Sequence, residues 1–126
     1  MVVAMLLAAL AAQVPPDPFG DRWQLMGEDG DAFYAIDPAS IAREGDQARV
    51  AIRARAKGDN GDVIRIVVTR SRFDCVQRLT GIEAAQAYDA GGTRIRDMEI
   101  PSDQVRLDRF TDLPTQAIFA AVCGPS

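Results

Sequence analysis

The sequence predicts an α+β domain: an antiparallel sheet of about six strands with a C-terminal helix packed on it and tied down by one disulfide. Three observations carry this. Residues 47–57 alternate apolar and basic side chains with a period of two, the mark of a strand with one buried and one wet face. Several further runs rich in β-branched and aromatic residues follow, separated by Gly/Asp/Asn turns. Residues 115–123 then switch to helical spacing, with Ile118, Phe119, Val122 and Cys123 on one stripe. Strands followed by a terminal helix read as α+β.

In chain order, Met1–Ala12 is an uncharged apolar run, too short to span a bilayer as a helix. Its length and the small residues of Ala9-Leu10-Ala11 fit a signal peptide cleaved at or next to Ala12, although no Lys or Arg precedes it. Residues 13–21 form a linker, because Pro15, Pro16 and Pro18 forbid both helix and central strand. The folded domain is expected over 22–126. It opens with a strand at Arg22–Met26, a turn at Gly27–Gly30 and a second strand at Ala32–Ile36. Asp37-Pro38 fits the cap and first position of a single helical turn.

Within 47–57, Ala48, Val50, Ile52, Ala54 and Ala56 point one way, while Arg49, Arg53, Arg55 and Lys57 share the other face with Ala51. Gly58–Gly61 contains Asn-Gly, a hairpin signal. Val63–Phe73 is the most strand-like run. Its first half is apolar on both faces, so a central strand covered on both sides is expected. Leu79–Tyr88 reads as a strand, although Glu83–Ala87 would tolerate a helix. Asp89–Gly92 is a turn, and Thr93–Met98 the last strand. The helix starts from Asp112 or Thr115 and stops at Gly124-Pro125.

Composition excludes several functions. The chain has 126 residues, one domain's worth, with 48% hydrophobic and 25% charged residues, so it has enough apolar material for a core. The net charge of -4 argues against nucleic-acid binding. No stable membrane span remains once the signal is removed. There is no histidine, which removes Ser-His and Cys-His catalysis and the commonest transition-metal ligand. No catalytic residue, cofactor or metal site is therefore expected. The acidic runs Glu28–Asp31 and Asp59–Asp62 lack the frame of a calcium loop and read as hairpin turns. Ser40, Ser71 and Ser102 have no base to activate them.

Two cysteines remain, Cys75 near the end of the central strand and Cys123 at the end of the helix. In an oxidising compartment they pair and pin the helix across the sheet; in the cytosol they would be two buried thiols. Thirteen Arg stand against one Lys. Genomic codon bias is the plain reading of that imbalance, and selection for bidentate carboxylate pairing the sharper alternative. Arg53, Arg55, Arg65, Arg70 and Arg72 fall on neighbouring strands. They form either a basic stripe for a phosphate or an acidic partner, or a solvated face interleaved with Asp and Glu.

The order and spacing of several elements resemble the surface-adhesin protein E-like domain. These elements are Trp23, Phe33–Asp37, Ser40-Ile41 and Arg43–Gly45, then Phe73-Asp74-Cys75, Tyr88-Asp89 with Gly91-Gly92, and Ala121-Val122-Cys123. The segment before the final helix, Arg109–Thr115, departs from the aromatic and Pro-Gly-Ser pattern common in that family, and no lipobox is present. The resemblance implies a small exported sheet domain whose helix is tied by a disulfide. The family takes its name from an adhesin that binds host matrix proteins, so it also implies a non-enzymatic protein-binding module at the surface, in the periplasm or secreted. No contact residue transfers, and homodimerisation is left open. The alternative is a periplasmic small-molecule or envelope-ligand binder using the hollow between sheet and helix.

Overall fold

A computed structural model describes residues 22–124. The proposed signal and linker, and Pro125, lie outside the described residues. Six strands run in sequence order as one antiparallel, curled sheet: β1 (Gln24–Glu28), β2 (Ala32–Glu44), β3 (Gln47–Lys57), β4 (Val63–Asp74), β5 (Leu79–Asp89) and β6 (Arg94–Glu99). A 3-10 turn (Ser102–Gln104) leads to β7 (Asp108–Arg109), and the chain ends in α1 (Leu113–Cys123). β6 pairs with Ala84–Tyr88 of β5, while β7 pairs with Leu79 and Thr80, so the two divide one edge of β5 between them. The sheet therefore has seven strands rather than about six, and the helix is a minor part of an α+β fold.

β3 has the bounds its alternation predicts, because nothing interrupts the period of two. Ala48 and Val50 are buried beneath α1, with Ile36 of β2 and Phe73 of β4. Ile118, Phe119 and Val122 come down from the helix to meet them. The rings of Phe73, Phe110 and Phe119 sit 5.4–6.1 Å apart between centroids, a spacing at which aromatic edges and faces attract. These rings fill the space between sheet and helix, where a small-ligand hollow had been the alternative expectation. Asp112 caps α1, its carboxylate accepting from the Thr115 N–H at 3.0 Å and the Thr115 hydroxyl at 2.6 Å. Gly124, at φ 75°, ends the helix in a conformation glycine adopts without strain.

Cys75 and Cys123 are disulfide-bonded with Cα atoms 5.5 Å apart, within the usual range of such bonds. The turn after β4 is built around Asp74. Its Oδ1 accepts the N–H groups of Val76 and Gln77, and its Oδ2 accepts from the side chains of Gln47 and Gln77. Arg78 follows at φ 60° and lays its guanidinium 4.7 Å from the Phe119 ring centre. The far side of the disulfide is held too, since Arg43 Nη1 donates to the Cys123 carbonyl.

Three local expectations are corrected. Asp37-Pro38 starts no helical turn. β2 runs on to Glu44 with an irregularity between Asp37 and Ala42, where Pro38 has no N–H to give to the ladder. Asp37 instead accepts the Ala39 N–H and pairs with Arg22 at 3.0 Å, and Ser40 Oγ bridges the irregularity to the Ala51 N–H. β4 is central, and its face away from α1 is covered only in part: Ile66 is buried there, while Ile64 is exposed. The segment 83–87 is strand, not helix, held between β4 and β6.

Candidate binding site

The face that α1 leaves uncovered carries the polar side of β3. In the β3–β4 register Arg49 lies opposite Arg72 and Ala51 opposite Arg70, so all three arginines stand on that face. Across β4 and β5, Arg70 pairs with Ala84 and Ser71 with Ile82. Glu83 is thus the extra residue of a β-bulge, a device that re-aims a side chain. It turns Glu83 into the arginines.

Glu83 is 7% exposed at its side chain; its Oε2 accepts from Arg72 Nη2 at 2.6 Å, and Arg49 Nε stands 2.8 Å from its Oε1 as an ion pair without hydrogen-bond alignment. Arg70 Nε stands 3.7 Å away, and Arg70 Nη2 is also 3.7 Å from Glu99. Burial pushes the Glu83 pKa up, but Arg72 and then Arg49 outweigh it, and the carboxyl sits below its ordinary value. Arg72 also reaches Ser102 Oγ at 3.4 Å.

Around this cluster opens a cleft of about 700 Å3 lined by Arg49, Arg70, Glu83, Glu99 and the Ile100–Ser102 segment. A second cleft of about 400 Å3 adjoins it, lined by Ala51, Val68, Ala84 and Gln86 among others. Both are bordered by Arg49 and Arg70, and two smaller hollows share one or other of these arginines. These adjoining hollows, with Arg49 and Arg70 as shared walls, make up a trough on β3, β4 and β5. Arg49 and Arg70 keep 45% and 55% of their side-chain surface exposed, so their heads face the trough. The Nη atoms of Arg49 and the whole Arg70 head make no hydrogen bond among the described residues.

Farther along the same face the basic side chains are stacked on rings. Arg53 lies 5.2 Å from the Trp23 ring centre, and Arg55 and Lys57 lie 5.4 and 4.2 Å from that of Phe33.

The basic stripe read from the sequence is therefore partly assembled. Arg53, Arg55, Arg70 and Arg72 share a face, but Arg65 does not. It pairs with Ala56 and points to the side of α1. Arg49, left out of the stripe, is central to it, and Glu83 supplies the interleaved acid.

The two acidic turns are self-contained. Asp29 accepts the N–H groups of Asp31 and Ala32, and Asn60 accepts that of Asp62. Among the described residues no three His, Cys, Asp or Glu come together as a metal set. Ser40, Ser71 and Ser102 are engaged in structural hydrogen bonds.

The fold is thus a small curled antiparallel sheet with one terminal helix locked on by a disulfide and a charged, cleft-bearing surface on the face away from that helix. The chain matches the surface-adhesin protein E family over residues 23–124, most of its length, and belongs to that family. Membership groups it with exported or surface proteins. No curated protein and no solved structure matches it.

Proposed function

We propose that residues 22–126 form an exported, non-enzymatic protein-binding domain, released from a signal peptide at 1–12 and a linker at 13–21, that engages its partner through the trough opposite α1. The observation that carries this reading is the pair of half-exposed arginine heads, Arg49 and Arg70, opening unspent donors into that trough. Helix, disulfide and aromatic cluster stabilise one face, so the other is free for a partner. Membership in a surface-adhesin family agrees with this and makes matrix proteins the first partners to try.

A small-ligand reading draws on the 700 Å3 of the main cleft, a volume within the range of small-molecule sites. The cleft continues into its neighbours through shared arginines, however, and an open trough suits a chain segment better than an enclosed molecule.

The test is binding of the purified mature protein to immobilised extracellular-matrix proteins. Gln86→Trp fills the trough from its rim on β5, and Ala120→Arg changes the exposed face of α1. Binding is expected to fall in the first variant and hold in the second. Loss in Ala120→Arg with retention in Gln86→Trp would overturn the proposed face.

A further inference from the structure

We infer that Arg49 and Arg70 form a carboxylate-binding subsite that takes an acidic side chain of an extended peptide, with the shelf of Ala51, Val68 and Ala84 receiving an apolar neighbour. The inference rests on the trough being the partner-binding face and names what that face recognises.

The first argument is donor accounting. Glu83 is a resident carboxylate, and it engages Arg72 through Nη2 and Arg49 through Nε. The Arg49 contact is an ion pair, and Glu83 Oε1 accepts no hydrogen bond among the described residues, so the Nη donors of Arg49 remain unspent. Arg70 stands 3.7 Å from both Glu83 and Glu99, beyond hydrogen-bond reach. A planar guanidinium offers five donors in a fork that fits a carboxylate edge. Two such forks with spare donors, beside a carboxylate they do not saturate, make a receiving site rather than a finished network.

Charge selects the guest. Within the inner cluster Arg49, Arg70 and Arg72 face Glu83 and Glu99, one positive charge in excess, while Arg43, Glu44 and Asp97 lie farther out along the trough. A monoanionic carboxylate neutralises that excess. A phosphate dianion would overcompensate it and face Glu83 and Glu99 at close range. Glu99 is 79% exposed and reaches Arg70 only at 3.7 Å, so it is a weak competitor that a guest carboxylate displaces.

The surroundings select an extended peptide. The 400 Å3 shelf beside the arginines is lined largely by small and apolar side chains, suited to an aliphatic group. In an extended chain, side chains on one face recur about every 6.8 Å. One facing residue can thus meet the arginines and the next the shelf.

The experiment uses the mature protein and fluorescence anisotropy. The probe is a fluorescein-labelled peptide bearing Glu and Leu on one face of an extended chain, compared with its Gln-for-Glu and phosphoserine-for-Glu counterparts. The Glu peptide is expected to bind at least roughly tenfold tighter than the Gln peptide, the scale of one charge-assisted contact. Arg70→Gln should lose about the same factor. Glu99→Gln should tighten binding about threefold by removing the competitor, a gain that damage to the fold cannot imitate.

Several results would overturn the assignment: no binding of the Glu peptide below about 1 mM, equal affinity for the Glu and Gln peptides, or an Arg70→Gln variant that binds normally. Tighter binding of the phosphoserine peptide would overturn the choice of carboxylate. Displacement of the Glu peptide by equimolar acetate would show a small-anion site and overturn the peptide. If Gln86→Trp abolishes matrix-protein binding while Arg70→Gln leaves it unchanged, the trough reading stands and this inference falls. If neither variant alters binding, both fall.

Discussion

Removing the Cys75–Cys123 bond with the double substitution Cys75→Ser/Cys123→Ser isolates what the covalent tie contributes, since the side chains around it stay in place. The cysteines are 48 residues apart. Loop-closure entropy for that separation gives about 4 kcal/mol, and native bonds removed from small domains cost about 2–5 kcal/mol. For a domain of this size, that loss corresponds to a fall in Tm on the order of 10–20 °C.

The loss should also be local. α1 has 11 residues, too few to be stable alone in water. It is held on the sheet by its buried residues Pro114, Ile118, Phe119 and Val122, by Arg43 on the Cys123 carbonyl, by Arg78 over the Phe119 ring and by the bond at its last residue. Without the bond, the amides of 117–123 should exchange faster than those of β3 and β4. Thermal melts by circular dichroism and hydrogen exchange of the variant check both expectations. A Tm within about 3 °C of wild type, with helix amides still exchanging only through global unfolding, would refute the account and leave the aromatic cluster as the real anchor.

Stability should also fall in acid. Asp74, held low first by the Gln77 N–H and also by the Val76 N–H and the side chains of Gln77 and Gln47, and Glu83, held low by Arg72 and Arg49 against its burial, both have depressed folded pKa values. Such groups contribute stability that is present above the unfolded pKa and lost as pH falls through the folded one. The urea midpoint should therefore be level from about pH 7 to 5 and drop below about pH 4, less steeply in Glu83→Gln. Gly81→Ala should destabilise by about 1–3 kcal/mol, because a Cβ there collides with the Arg106 carbonyl where the chain crosses β5, whereas Gly30→Ala meets nothing and should be near neutral; urea titration of the pair decides. Phe119→Ala should cost about 3–5 kcal/mol by emptying the centre of the three-ring cluster, measured the same way. Mass spectrometry of protein from its own host should find an N-terminus at Ala12 or Gln13, and an intact Met1 on cytosolic material would sink the export proposal.

How far the fold was legible followed how far each segment obeyed one period. β3 alternates without interruption and its ends were readable to the residue. α1 carried its own cap and stop in Asp112 and Gly124, although it begins two residues earlier than the stripe indicated because Pro114 extends its first turn. β7 is two residues long and no periodicity can mark it. At Asp37-Pro38 a turn-like dipeptide sits inside a strand that bulges to accommodate it, so local chemistry pointed one way and the β3 ladder the other. The position of Arg65 was readable. Within one strand an odd residue points away from Arg70 and Arg72, and counting by two separates them. Glu83 was not readable. Its place among the arginines exists only because β5 bulges against β4, and nothing between Ile82 and Ala84 announces the extra residue.

That bulge links the fold to the proposed site. With regular pairing through Ile82–Ala84, a single alternation would put Glu83 opposite one β4 residue, and on β5 only every second side chain would face the trough. The extra residue lets Glu83 and Ala84 both serve that face, one as the buried counter-charge and the other in the apolar shelf. The counter-charge matters because Arg49 and Arg72 sit directly opposite each other, where like charges repel. A carboxylate between them turns that repulsion into two ion pairs. The same irregularity thus stabilises the sheet against its own arginines and leaves Arg70, the most exposed of the three, with donors unspent. Covering the opposite face with a disulfide-locked helix makes this arrangement affordable, because the core does not depend on the trough being filled.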